Sequence, residues 1–479
     1  MKTAHPDTLL IHNAEINGIP GLQLLIESGH IRAIGGNLSP EPRPHLRIDA
    51  KGGALLPGLT DHHIHLLATA AKRASLSAEH VTSFEELATL IRNAACGLSP
   101  GEWLRVTELD TFTVGIPDKD ELDRIESTQP IRIQDRTGAL WILNSCGLSF
   151  IDSNRGDHLP EGVERNKAGQ LTGRIWRESE WLKDCLKSPP PDLERLGAEL
   201  SSLGVTSVTD ASVSTTQEMA GVLGRAHKSG TLPQRLRLMS GGKLTPCEVG
   251  SFEVGETKVL LDERSLVDFD EFGLTIRRSR EQGRRVAVHC VTAVELSYCL
   301  AAFETYGAYP GDRIEHGSII PKEAIPPINK LGLAVVTQPG FLHARGERYL
   351  ARVDPCEQED LYRCASLVEQ EIPVAFSSDA PYGPIDPWLA MRTATDRLTE
   401  TGHPICLKER IPAARALDMY LGTPPHQAAR ARQVRVGTAA DLCLLKLPLV
   451  EALSDLSRHH VAATFINGRI VFQSDCTPS

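Results

Sequence analysis

Leu56-Pro57-Gly58-Leu59-Thr60-Asp61-His62-His63-Ile64-His65 is an apolar run that passes a Pro-Gly pair and ends in histidines. Side chains two apart on an extended strand share a face, so His63 and His65 project together, as two imidazoles chelating one metal ion require. The same spacing also suits two hydrogen-bonded histidines beside a surface turn. The surroundings supply the setting. From residue 54 to 380, short apolar runs alternate with longer helical stretches, which is the texture of parallel βα units.

Eight runs read as strands: Ala54 to Leu56 continuing toward His63, Val205 to Asp210, Arg235 to Ser240, Thr257 to Asp262, Val286 to Cys290, Arg313 to His316, Ala334 to Gln338 and Val374 to Asp379. Eight βα units close a (β/α)8 TIM barrel, whose chemistry sits at the C-terminal ends of its strands. His289, His316 and Asp379 end the fifth, sixth and eighth runs. Singly, each reads as a hydrogen-bonded core histidine or a helix-capping aspartate. Jointly with His63 and His65 they read as a metal site. Lys258 lies inside the fourth run among apolar neighbours, where desolvation lowers an amine's pKa. An ion pair with Asp262 or Glu256, a neutral amine, or a carbamate bridging two metals would each suit it.

Both ends of the chain have a different, short-strand texture. Thr8 to His12, Leu22 to Ile26 and Ile31 to Ile34 alternate with turn signals, and Asn467-Gly468 joins Ala463 to Ile466 with Arg469 to Phe472 as a hairpin. Residues 1–57 and 411–479 are therefore expected to form one small composite β-sandwich, with the barrel over residues 58–410. A long insertion after barrel strand 1, about residues 70–200, carries its own strands at Trp103 to Leu109 and Ile131 to Asp135 and a helix from Glu178 to Leu186. Excursions of this length on that face commonly form a lid or a substrate-shaping subdomain.

Composition narrows the class. Sixty-one acidic against 51 basic residues give a charge of -10, and no Lys/Arg stripe offers a footprint for nucleic acid or anionic lipid. No apolar run reaches the roughly 18 residues of a membrane span, and Met1 to Pro6 do not open a signal peptide. The 11 cysteines contain no C-x-x-C pair, which fits small buried hydrophobes in a reducing compartment. The expectation is a cytoplasmic protein acting on a small molecule, with a homodimer as the candidate assembly.

Pro57-Gly58 to His65, Lys258, His289, Arg313 to His316, Ser378 to Pro381 and Gly437 to Leu442 together resemble the metal-dependent amidohydrolase superfamily. Gly162 to Gly173 with Glu178, Gly204 to Asp210 and Gln338-Pro339 resemble its amidohydrolase family 3, or YtcJ-like, branch. The resemblance implies that His63 and His65 hold a buried divalent ion, that His289 and His316 hold a second, and that carboxylated Lys258 bridges them. It makes Asp379 both ligand and proton shuttle, with His316 assisting at the oxyanion. Zinc is the expected ion, one or two per chain, with manganese or iron as substitutes. The implied reaction is hydrolysis of a non-peptide C–N bond (amide, N-formyl, lactam or cyclic imide) by a metal-activated hydroxide. A deaminase, an ester or lactone hydrolase, and a catalytically silent regulatory relative are the alternatives.

The chain departs from the family pattern after His289, where Cys290-Val291-Thr292-Ala293 replaces the usual Gly-Asp. It also departs at Arg136-Thr137-Gly138-Ala139, which lacks a histidine, and at Asp262-Glu263-Arg264. These places touch substrate contacts rather than the expected ligands. Arg264, Arg345, Arg348, Tyr362 and Arg363 follow barrel strands and are candidates to clamp a substrate carboxylate, or are solvated or ion-paired. Trp103 is a candidate wall of an apolar pocket.

Overall fold

A computed structural model describes residues 8–40, 44–152, 159–186, 190–246, 251–422 and 432–474. Met1 to Pro6, Cys247 and Cys476 lie outside the described residues. The chain divides into two compact units, one of Met1–Leu66 with Leu193–Ser479 and one of Leu67–Asp192.

The first unit contains an eight-stranded parallel sheet whose strands follow one another in chain order. They are β1 (Leu59–Ile64), β2 (Val205–Asp210), β3 (Arg235–Ser240), β4 (Glu253–Leu260), β5 (Val286–Cys290), β6 (Arg313–His316), β7 (Ala334–Thr337) and β8 (Val374–Phe376). The seam between β8 and β1 is bridged just beyond the strands, where the Asp379 N–H donates to the His63 carbonyl and the His65 N–H to the Ala380 carbonyl, both at 2.8 Å. This is the expected α/β barrel.

Alternation along the strands sorts the side chains. Val259, Leu261, Val286, Val288, Cys290 and Ile314 pack outward in one core with Phe272, Ile276, Leu296 and Phe303 of the surrounding helices. Each such side chain contributes about 1.5–3 kcal/mol on burial. Glu256, Lys258 and Leu260 of β4, Ala287 and His289 of β5, and Arg313 and Glu315 of β6 consequently take the opposite, inner face. The helix after β5, Ala293–Tyr306, starts at a capping box between Thr292 and Glu295, which ends the strand directly after the His289-Cys290 pair.

Several strand limits differ from the sequence expectation: β4 starts at Glu253 and β7 ends at Thr337, and three further differences bear on the site. The first run is two strands, because Ala54–Pro57 pairs antiparallel with Leu442–Leu445 before β1 begins. At the handover the Gly58 N–H donates to the Asp441 carbonyl at 2.9 Å, and a Cβ on Gly58 would run into Thr206. Asp262 lies beyond β4 in a turn, where its side chain accepts from the Arg264 N–H at 3.0 Å. β8 stops at Phe376, ahead of a left-handed Asp379 at φ 52°.

Strands from both chain ends share a second eight-stranded sheet. Leu9, Ile11, Leu24, Leu55, Leu442, Leu444 and Phe465 meet in its core. The Asn467-Gly468 turn has φ 49° and 70°, the left-handed pair that a tight hairpin demands.

The second unit holds a six-stranded sheet that includes Leu104–Leu109, Ile131–Asp135 and Leu171–Trp176, with its own core around Leu87, Val106, Ile133 and Ile142. The helix expected from Glu178 to Leu186 is one of several in this unit and runs from Ser179 to Leu186. Among the described residues no helix is long and apolar enough to cross a membrane, and nine cysteines are free.

Candidate metal centre

The barrel's C-terminal end gathers imidazoles around one carboxylate. Asp379 Oδ1 lies 3.3 Å from His63 Nε2 and 3.1 Å from His65 Nε2, and Asp379 Oδ2 lies 3.8 Å from His316 Nδ1. The rings of His63 and His316 are 4.8 Å apart, and those of His289 and His316 are 4.4 Å apart. Lys258 reaches the same place, with Nζ 3.8 Å from Glu315 Oε2.

Each histidine at the end of β1 is oriented from its far side. His63 Nδ1 donates to Glu315 Oε2, and His65 Nδ1 lies 2.9 Å from Ser212 Oγ. Both therefore present Nε2 to Asp379. His316 Nδ1 is 3.0 Å from Gln338 Oε1. Asp61 accepts from the Ser378 N–H at 3.1 Å and from its hydroxyl at 2.5 Å, which anchors the segment leading to Asp379.

Local backbone geometry contributes as well. Simple alternation would send His316 outward with Ile314, yet it stands beside His63. Its φ of 70°, left-handed in a non-glycine residue, turns the side chain back inward so that consecutive Glu315 and His316 both serve the centre. Asp379, at φ 52°, carries the same kind of strain.

Below the histidines runs a ladder of alternating buried charge. Arg237 Nη2 is 3.2 Å and Arg313 Nη1 3.9 Å from Glu256 Oε1, and Arg313 Nε donates to Glu315. Arg313 and Glu315 have no solvent exposure at all. Burial alone would raise the Glu315 carboxyl, but Arg313, Lys258 and His63 hold it well below the usual range.

The residues present suit a bound cation. His63, His316 and Asp379 each offer a donor atom within 4.8 Å of one another. Buried Lys258 Nζ has no hydrogen-bond partner, and Asp379 Oδ1 faces the two imidazoles of His63 and His65. Burial holds His289 down to about 4, and it holds His316 well below the ordinary imidazole value, so both present neutral, ligating rings. At His63 burial and Lys258 oppose positive charge, but the carboxylates of Glu315 and Asp379 outweigh them and raise its pKa. The pocket's field thus favours a cation at that point. Burial, reinforced by Arg313 and opposed by Glu315, lowers Lys258 toward its neutral amine.

A profile of the amidohydrolase family matches residues 47–472. The chain belongs to that family. Membership places it among hydrolases. Among amidohydrolase relatives, an N-substituted formamide deformylase of Arthrobacter pascens is 23% identical, over 97% of this chain and 98% of that one. The protein YtcJ of Bacillus subtilis strain 168 is 24% identical over 91% of each chain. The crystal structure of a metal-dependent hydrolase from Pyrococcus horikoshii OT3 shares the fold, with a TM-score of 0.74 at 20% identity over 92% of this chain and 98% of that one.

The substrate candidates are placed variously. Arg264 is exposed, past the end of β4. Arg345 lies 4.3 Å over the Phe341 ring and donates to the Tyr382 carbonyl. Tyr362 is buried in an apolar cluster with Phe341, Leu361 and Ile405, its hydroxyl 3.0 Å from that of Tyr349. Arg348 is exposed, and Arg363 is tied to Asp360 and Glu409. In the second unit, Trp103 packs 5.3 Å from the Phe150 ring.

Sequence reasoning assigned no role to Glu315, Ser212, Asp61 or Tyr382. Glu315 carried a usable signal: a charged residue on the inner face of a barrel strand, two after an arginine, needs a buried partner.

Proposed function

We propose that this amidohydrolase cleaves a non-peptide C–N bond in a small amide, N-formyl compound, lactam or cyclic imide. The convergence of His63, His65 and His316 on the Asp379 carboxylate carries the reading. His63, His65, His289, His316 and Asp379 would hold one or two divalent ions, zinc first, and Lys258 would join them as a carbamate. Such an ion polarises the scissile carbonyl and lowers the pKa of water toward about 7.

The chain's own groups do the rest. Burial would raise the Asp379 carboxyl, but the His63 charge and the hydrogen bonds from His63 and His65 together outweigh it and hold it well below the usual range, so it stands ionised and able to accept the proton of the attacking water. It then returns that proton to the leaving nitrogen. Glu315 and Ser212 hold the rings of His63 and His65 in orientation, and His316, fixed by Gln338, faces the developing oxyanion. The free cysteines support a cytoplasmic setting.

The test is metal analysis of purified protein, followed by zinc- or manganese-loaded turnover of amide, formamide, lactam and imide panels. Stoichiometric metal with release of an amine or ring-opened acid is expected. A folded protein that binds no divalent ion, or a loaded one that hydrolyses only esters, would overturn the reading.

A further inference from the structure

Large apolar side chains stand exposed at the C-terminal ends of the barrel strands, where burial would be the norm. Val213, Leu260, Val291 and Tyr382 are 39%, 54%, 37% and 58% exposed. Each is one step from the centre. Val213 follows Ser212, the partner of His65, and its carbonyl accepts from the Gly241 N–H at 2.9 Å, which sets it between the ends of β2 and β3. Leu260 shares the inner face of β4 with Lys258 and stands in register opposite His289. Val291 follows Cys290 directly after β5, and its carbonyl accepts from the Ile319 N–H at 3.2 Å, which sets it between the ends of β5 and β6. The Tyr382 ring meets the His65 ring edge-on at 5.5 Å.

We infer that this collar binds an uncharged, apolar substituent flanking the scissile bond, so that the substrates are amides or formamides bearing an alkyl or aryl group. The inference rests on the hydrolase reading above. Four apolar side chains around a polar floor have the composition of a small-molecule site, in which apolar walls supply affinity and few polar groups fix orientation. The guanidinium of Arg345 supports the collar, since its bond to the Tyr382 carbonyl and its stacking on Phe341 commit it to holding that loop. Arg264, exposed past β4, is the group that would instead favour a carboxylate.

The metal-loaded protein is titrated calorimetrically with N-alkyl methanesulfonamides of increasing chain length, amide analogues that hydrolysis does not consume. Affinity rises about fourfold per added methylene, the factor that burial of one CH2 gives. The slope flattens in Leu260→Ser and in Tyr382→Ser, whose exposed positions spare the core. A flat slope in the wild-type protein, an unchanged slope in both variants, or tighter binding of a carboxylate-tipped chain that Arg264→Ala abolishes would each overturn the collar. Binding is read without turnover, so failure to hydrolyse any C–N bond would sink the hydrolase reading separately.

Discussion

The backbone N–H of Asp379 donates to the carbonyl of His63 at 2.8 Å, while the Asp379 carboxylate faces the His63 imidazole at 3.3 Å. One pair of residues thus bridges the barrel seam and brings two proposed ligands together. The backbone contact explains how a carboxylate from the end of the barrel reaches histidines from its beginning. It also means that changes to the Asp379 side chain can be separated from changes to the seam.

Asp379→Asn keeps the backbone bond and a side chain of the same shape, but removes the proton acceptor. Metal content should stay close to wild type and the fold intact, while turnover falls about 10²–10⁴-fold, the usual worth of a placed general base. Elemental analysis beside steady-state kinetics checks this. Undiminished turnover would take Asp379 out of the mechanism.

Lys258 has a buried amine with no hydrogen-bond partner, 3.8 Å from Glu315 Oε2. Lys258→Ala is expected to abolish loading of two ions, with partial rescue by short carboxylic acids that occupy the carbamate's place. Two ions retained without an additive would defeat the bridging role.

The barrel was legible because its strands carry apolar outer faces and end in polar residues. Strand spacing put His63 and His65 on one face, strand ends singled out His289, and the same spacing separates His63 from its neighbour His62, a fully buried ring pushed down to about 3 by burial and by Arg313. Alternation could not foresee that consecutive Glu315 and His316 both serve the centre, because a left-handed residue breaks the rule that was being applied. Nor could composition show that Tyr362 is buried against Phe341, since a residue following a strand can turn toward either side. The expected domain boundary falls at Gly58, but the expected strand runs from Ala54 toward His63 across it, because an apolar run that resumes after a Pro-Gly pair looks the same whether it stays in one sheet or crosses to another.

Glu315 holds His63 and answers Arg313, and neither partner has another buried carboxylate as near. Glu315→Gln should weaken metal affinity about 10–100-fold through loss of the orienting carboxylate. It should also destabilise the apoprotein, by up to about 3–5 kcal/mol, because Arg313 loses its nearer buried carboxylate and keeps Glu256 at 3.9 Å. Metal-buffered titration and denaturant unfolding read the two effects independently. Wild-type affinity in a destabilised variant would limit Glu315 to a structural role.

Glu409 gives an acid-stability prediction remote from the metal centre. It accepts from the Cys364 and Ser366 N–H groups at 2.9 Å each and pairs with Arg363 Nη1 at 2.7 Å. Burial raises its pKa, but the bonds from Ser366 and the Arg363 charge outweigh this and lower it in the folded chain. A depressed folded value means that the contribution is complete above the unfolded glutamate value of about 4.3, and that it disappears as pH falls through the lower folded value. Unfolding followed from neutral pH down to about pH 3 should show a wild-type stability loss in that window. In Glu409→Gln, stability at neutral pH is lower and the acid limb is shallower. Parallel acid limbs for the two proteins would show that the Glu409 charge contributes nothing to the folded state.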